Sequence, residues 1–387
     1  MSKIRRFEMP RLEAEIDWMG RMQVVFVFQA DANFGILPRD VELAQLLNRA
    51  REKYRGYPRS IYYSAAKNHP ERAVAIAQAF ATSGIAPAHT LAIQHTRPAV
   101  LEATDRSNIS PAKQVEVVKA LMAQGIPIEV QLILGIPGDT YERWTSCLAD
   151  LMEWGLHDAY CVFSYQLLPN APAAEPTFRD RWEVDTVERH IFDSQVARVE
   201  TAGRDLSWKS KATIVVGSKT YGRTEWVRMA TYAAVVRALH NGGLTQRIAV
   251  YLRLTHGVPY LDFYRHLMEK FLPQSEVAGP WLARVEGHVR RFLEVESARE
   301  HMTVDELPGL SWMLDAPRWF FVQVCLRLEP FFAALGKYLL ERYPEASLLE
   351  SALRFQRETI ILPRYDRESG KTFSTNRDWV GYFSAAR

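Results

Sequence analysis

The chain has only three cysteines in 387 residues, and none is spaced to share a ligand. Cys147, Cys161 and Cys325 show no CxxC or CxxxCxxC pattern. That excludes a disulfide framework, points to a reducing compartment, and leaves no self-evident zinc or iron–sulfur site. Other absences narrow the field. No unbroken apolar run approaches the ~18 residues that a bilayer span needs, and the basic N-terminus carries no signal peptide. A net charge of +3 is too small to argue for nucleic acid or an anionic membrane. His240, His256 and His266 are too scattered to argue a metal site. There are no internal repeats and no low-complexity tracts. Neither a nucleic-acid nor a membrane partner is expected, and the cytoplasm is the expected location.

What is present reads as a soluble globular chain, with 48% apolar and 24% charged residues. The first half alternates apolar strands with helical segments. Strands are expected at 22–30, 60–66, 89–95, 128–135 and 158–168, and helices at 10–20, 38–54, 69–84, 110–125, 139–154 and 184–201. Ser110-Pro111 forms an N-cap and N1 pair, while Gly84 and Gly125 serve as stops. Strand–helix units repeating at roughly 30 residues imply a parallel sheet covered by helices, either open or closed into a barrel. In both forms the ligand sits at the carboxyl ends of the strands. The repeat opens on a helix, as though its first strand were missing. From about residue 206 a mainly helical second domain (206–387) follows one strand-like segment, KATIVVGS. Its many aromatics fall at helical spacing and read as core rather than as a nucleic-acid surface.

The strand ends carry the chemistry. The stretch QLILGIPGDTYERW (131–144) places Gly135-Ile136-Pro137-Gly138-Asp139-Thr140 between a strand and a helix. It has no lysine and an acid where a phosphate would sit, so it is neither a P-loop nor a dinucleotide fingerprint. Two readings stay open for it. One is a plain turn with Asp139 or Thr140 capping the next helix, and the other is a flat ledge for an uncharged adenine. Asp31-Ala32-Asn33-Phe34-Gly35 is either an Asx-turn or a grip for an ammonium group or metal. Arg106 is either a surface residue or a bidentate partner for a carboxylate.

Taken in order, DANFG, LAIQHTRPAVLEATDRSNIS, GIPIEVQLILGIPGDTYERW and YQLLPNAP resemble the radical S-adenosylmethionine (SAM) enzymes, most closely the subgroup with a cobalamin-binding domain. Family members similarly carry a GLPGET-like turn and an LPNTP exit, which here read GIPGDT and LPNAP. The resemblance implies a partial (βα)6 TIM-like barrel over 1–205, missing its first strand, followed by the helical domain. It also implies 5′-deoxyadenosyl radical chemistry, with methyl transfer from cobalamin to an unactivated carbon of a small-molecule, natural-product or peptide-like substrate. Role by role, it assigns Asp31 and Asn33 to the SAM amino end, and Gln94 and Arg106 to its ribose and carboxylate. Gly135, Ile136, Pro137 and Gly138 are assigned to the adenine, with Leu168 and Asn170 beside it. No catalytic or metal-binding residue is assigned. The family's 4Fe–4S cluster and cobalamin need segments that this sequence does not contain, so the chain alone is expected to be inactive, truncated or started late. Two other readings remain: a cluster-less SAM-binding or partner-binding module, and an ordinary barrel hydrolase or isomerase using His95 with Asp31.

Overall fold

A computed structural model describes residues 6–31, 33–66, 69–86, 88–104, 110–190, 211–295, 302–304, 314–360 and 373–385. The chain is a mixed α/β protein that divides into two compact units. One is made of Met1–Gln94, Ser107–Leu132 and Asp158–Cys161, and the other of His95–Arg106, Ile133–His157 and Val162–Arg387.

In the first unit helices and short parallel strands alternate as the apolar spacing requires. The order is α1 (Met9–Arg21), β1 (Phe26–Phe28), α2 (Arg39–Lys53), β2 (Ser60–Tyr62), α3 (Pro70–Ser83) and β3 (His89–Gln94). After α4 (Pro98–Glu102), which belongs to the second unit, come α5 (Pro111–Met122) and β4 (Ile128–Leu134). The punctuation is as written in the sequence. Ser110 accepts a hydrogen bond from the Lys113 N–H with Pro111 at the start of α5, and α3 stops at Gly84 with φ +64°. β1 pairs with β2 and β3 with β4, all in parallel. The β3–β4 register runs from His89↔Ile128 to Ala92↔Gln131, then slips to Gln94↔Leu132 at a bulge. Ile16, Phe34, Leu47, Ile61, Tyr63, Ile76, Phe80 and Ile85 form this unit's core. Three of its aromatic rings pack with centroids 5.1 to 6.3 Å apart.

After His95–Arg106, the second unit resumes at Ile133, within β4. α6 (Tyr141–Glu153) follows, and β5 (Ala159–Ser164) runs on into it as the neighbour of β4. Next come α7 (Pro176–Trp182), β6 (Asp185–His190) and β7 (Lys211–Gly217). Beyond them lie α8 (Arg223–Leu239), α9 (Gln246–His256) and α10 (Tyr260–His266), which passes through a π-turn, Leu267–Phe271, into α11 (Leu272–Gln274). The remainder is α12 (Gly279–Glu294), α13 (Ala316–Leu326), α14 (Leu328–Arg342), α15 (Leu349–Glu358) and α16 (Trp379–Ala385). The helix expected over 184–201 is corrected. Its first part is β6, paired antiparallel with β7, and 191–210 lie outside the described residues. The physical reason is a period of two: Val187 and Arg189 are buried in a run whose partner strand supplies every ladder bond. Among the described residues no single helix is long and apolar enough to cross a membrane.

Two buried histidines couple this fold to acid. His89 is 1% exposed and hydrogen-bonds the Tyr63 hydroxyl at 2.9 Å, and burial depresses its pKa from 6.5 to about 4. His240 is held well below its ordinary value by burial and by neighbouring His157. The unfolded chain therefore takes up these protons near pH 6.5 while the folded chain does not, so stability is full above that pH and falls as pH drops. For His89 the shift from 6.5 to about 4 corresponds to roughly 3 kcal/mol lost across that interval. Urea titrations at pH 7.5, 6 and 5 are expected to show a steadily lower midpoint, and His89→Gln a flatter profile. A midpoint independent of pH would rule out a neutral buried imidazole.

Candidate functional site

The GIPGDT turn is at the end of β4, and in the second unit it is built from both sides of its own backbone. Gly135 has φ +87° and Gly138 φ +94°, a region that residues with a Cβ enter only with strain. The Gly135 carbonyl accepts a 2.6 Å hydrogen bond from the Tyr221 hydroxyl. The Gly138 N–H donates to Thr220 Oγ1 at 3.2 Å, and its carbonyl accepts from the Arg143 guanidinium. Thr140 caps α6 by accepting from the Arg143 N–H, while the Tyr141 N–H donates to Glu225 at 2.7 Å. Ile136 is fully buried with Val100, Tyr165, Leu167, Ala173 and Val215. Pro137 and both glycines are buried as well.

The acid in this turn faces inward. Asp139 and His95 are both 0% exposed, with Oδ1 and Nε2 3.4 Å apart. The Arg97 N–H donates to His95 Nδ1 at 3.0 Å, which places the neutral ring's proton on Nε2, towards the carboxylate. The His95 ring stacks on Trp144 at 6.0 Å. Asp139 Oδ1 also accepts from the Thr140 N–H at 2.8 Å, but Oδ2 is buried and finds no donor among the described residues. Trp226 Nε1 and Trp182 Nε1 are likewise buried without an acceptor among them. Trp226 turns its Nε1 towards Gly135, whereas Trp182 meets Gly138 with the benzo edge of its ring. An orphaned donor beside Gly135 and an orphaned acceptor on Asp139 are of the kinds that a base could meet, since its ring nitrogens accept and its amine donates. On the Gly135 Cα itself the protein's own Trp226, Val215 and Tyr221 already occupy the space.

The other residues assigned to SAM lie as follows. Asp31 accepts from the Asn33 N–H at 2.9 Å, which makes the local Asx-turn, and both residues are exposed. Gly35 follows at φ +102°, its N–H bound to buried Asp40. Gln94 is half-buried just past the β3 bulge, with φ +62°, a strained backbone for a residue with a Cβ. Arg106 lies outside the described residues. Leu168 is 60% exposed, with its carbonyl bound by the Ala171 N–H, and Asn170 is exposed. The cysteines do not fit an iron–sulfur cluster. Cys147 and Cys325 sit in α6 and α13, their thiols pushed up to about 12 by burial, and Cys161 is in β5. Among the described residues no three His, Cys, Asp or Glu are placed to hold a metal.

One constellation was not anticipated. In the first unit Tyr62 donates to Glu129 at 3.1 Å and accepts from Gln131 at 2.6 Å, and Phe28 stacks on the Tyr62 ring at 5.7 Å. Burial first, and then the Glu129 charge, push the Tyr62 pKa up to about 12, so the phenol keeps its proton. Ala92 of β3 stands beside Gln131 in register. Polar residues at alternate positions of IEVQLIL were the signal that could have found it.

The two glycines should respond differently to a methyl group. An added Cβ at Gly135 meets Trp226 and the Val215 carbonyl at 3.1 Å, whereas at Gly138 the nearest atom is at an ordinary 3.5 Å. Both substitutions carry the cost of positive φ. Gly138→Ala is therefore expected to lose roughly 1 kcal/mol and Gly135→Ala roughly 3 kcal/mol or more in urea unfolding. Equal losses would show that space at Gly135 is not limiting.

No protein-family model matches the chain. The cobalamin-dependent radical SAM methyltransferase TokK of Streptomyces tokunonensis is 30% identical over 400 aligned positions, 99% of this chain and 57% of that protein. The 2-(S-pantetheinyl)-carbapenam-3-carboxylate methyltransferase of Streptantibioticus cattleyicolor is 29% identical, again over 99% of this chain and 57% of that protein. The chain thus spans little more than half the length of these relatives, and they give no support to the expectation that it is inactive. A solved structure of the radical SAM methyltransferase TsrM from Kitasatospora setae, with cobalamin and a 4Fe–4S cluster bound, overlaps 43% of this chain and 30% of that one, at 16% identity and a TM-score of 0.36. An overlap of that size assigns no fold. Along nearly its whole length the chain is thus similar to part of a cobalamin-dependent radical SAM methyltransferase, as its order of motifs led us to expect.

Proposed function

We propose that this chain is the SAM-binding part of a cobalamin-dependent radical methyltransferase, and that its substrate is a small natural-product molecule methylated at an unactivated carbon. The observation that carries the reading is the likeness along 99% of the chain to one cobalamin-dependent radical SAM methyltransferase and to a second methyltransferase. One of these is named for a carbapenam bearing a pantetheinyl arm. Support comes from the turn at the end of β4, where uncharged backbone, the Trp226 Nε1 beside Gly135 and the acid of Asp139 suit a base better than a phosphate. The parallel strands, in two groups, fit the partial (βα)6 barrel that the family implies. The domain division at about residue 205 and the roles of Asp31, Asn33, Gln94, Arg106, Leu168 and Asn170 are part of the same proposal.

The chemistry belongs to the bound groups: SAM supplies the radical and cobalamin carries the methyl group. This chain's residues hold and orient. Turn 135–138 supports the adenine, and the cores behind it keep water away. Nothing among the described residues fits the iron–sulfur cluster, and no step is assigned through it. The hydrolase reading loses its base, because His95 is fully buried against Trp144 and engaged with Asp139.

Calorimetric titration with S-adenosylhomocysteine tests the reading without any cluster. Saturable binding at one site per chain is expected, competed by adenosine and indifferent to ATP. Gln94→Ala is expected to weaken it about tenfold through the loss of polar partners. Absence of saturable binding, or competition by ATP, would sink the proposal.

A further inference from the structure

The segment SKTYGRTE (218–225) leads from β7 into the first turn of α8. Its side chains converge on the GIPGDT turn from far away in sequence. Tyr221, 86 residues downstream, donates to the Gly135 carbonyl at 2.6 Å. Thr220, 82 residues downstream, accepts from the Gly138 N–H at 3.2 Å. Glu225 accepts from the Tyr141 N–H at 2.7 Å. Three backbone groups that no helix or sheet can satisfy, spread from one end of the turn to the other, are thus met by one short loop.

That loop is itself fixed. The Ser218 N–H donates to the Tyr221 carbonyl at 2.8 Å, the Ser218 and Thr220 hydroxyls lie 3.0 Å apart, and the Lys219 N–H donates to the Trp182 carbonyl at 2.9 Å. Tyr221 is 3% exposed, so its hydroxyl has no water to turn to and remains aimed at Gly135. Behind it, Trp226 and the Val215 carbonyl close the space over the Gly135 Cα. A turn held at both ends by groups of fixed position has one backbone shape rather than several.

We infer that loop 218–225 belongs to the cofactor site, with Tyr221 and Thr220 as positioning residues that set the backbone of turn 135–138 for the adenine of SAM. The inference rests on the proposed role of that turn. It gives the C-terminal half a part in holding the cofactor. Neither side chain takes part in the chemistry. Each acts through the carbonyl or N–H it holds.

The test pairs two readouts on the full chain. Titration with S-adenosylhomocysteine is expected to show about tenfold weaker binding for Tyr221→Phe and for Thr220→Val, and wild-type affinity within about twofold for Thr220→Ser, which keeps the hydroxyl. Tyr264→Phe removes another buried hydroxyl of the same unit, one bonded to His240 at 2.6 Å. It is expected to lower the melting temperature without changing affinity. Hydrogen exchange of the 136–141 amides, followed without ligand, is expected to quicken in Tyr221→Phe and Thr220→Val and not in Tyr264→Phe. Unchanged exchange in Tyr221→Phe overturns the inference whatever the ligand does. Loss of affinity in Tyr264→Phe equal to that in Tyr221→Phe overturns it too, since the effect would then be general softening. A wild-type chain that binds no S-adenosylhomocysteine, while the exchange pattern holds, overturns the SAM-binding reading and with it the cofactor assignment made here.

Discussion

The hydrogen bond from the Tyr221 hydroxyl to the Gly135 carbonyl is the contact on which the surrounding structure depends. A turn that begins and ends at positive φ directs its carbonyls and N–H groups away from any ladder, and once buried they need partners from elsewhere. Tyr221, Thr220 and Glu225 supply them from one side, and Arg143 from the helix the turn introduces. Ile136 can then be driven into the core with Val100, Tyr165 and Val215 without stranding its neighbours' backbone. Without those partners, burying this stretch would leave several polar groups unpaired at about 1–3 kcal/mol each.

The acid that argued against a phosphate has a structural explanation. Asp139 is turned into the protein, where His95 presents its Nε2 and the Thr140 N–H donates. A lysine at this point would have to bury its charge against the same histidine. The turn therefore lacks a lysine for packing reasons alone. The ring of His95, held by the Arg97 N–H on one nitrogen and facing Asp139 with the other, joins the start of α4 to the start of α6.

Much of the fold was legible because its signals are local. Five strands, four of them paired in parallel, the Ser110-Pro111 cap, the stop at Gly84 and the helix after Thr140 each follow from a few adjacent residues. β6 was not legible. DTVERH satisfies either period over six residues, and its partner β7 begins more than twenty positions later. The Tyr62–Glu129–Gln131 group was missed for a similar reason. Tyr62 is more than sixty residues from its partners on β4, so no local pattern joins them. At the site itself, the glycine turn was readable as special, but its burial was not. Nothing within residues 131–144 announces that Tyr221, Thr220 and Trp226 will cover it.

The 86 residues between Gly135 and Tyr221 have a consequence for biosynthesis. On a ribosome the strand and turn emerge well before the loop that holds them. At about 5–20 residues per second, that leaves several seconds in which Ile136 and both glycines are outside the exit tunnel without their partners. During that interval the nascent turn is an apolar, glycine-rich segment open to chaperones, and its final shape is set only once residues beyond 225 have been made.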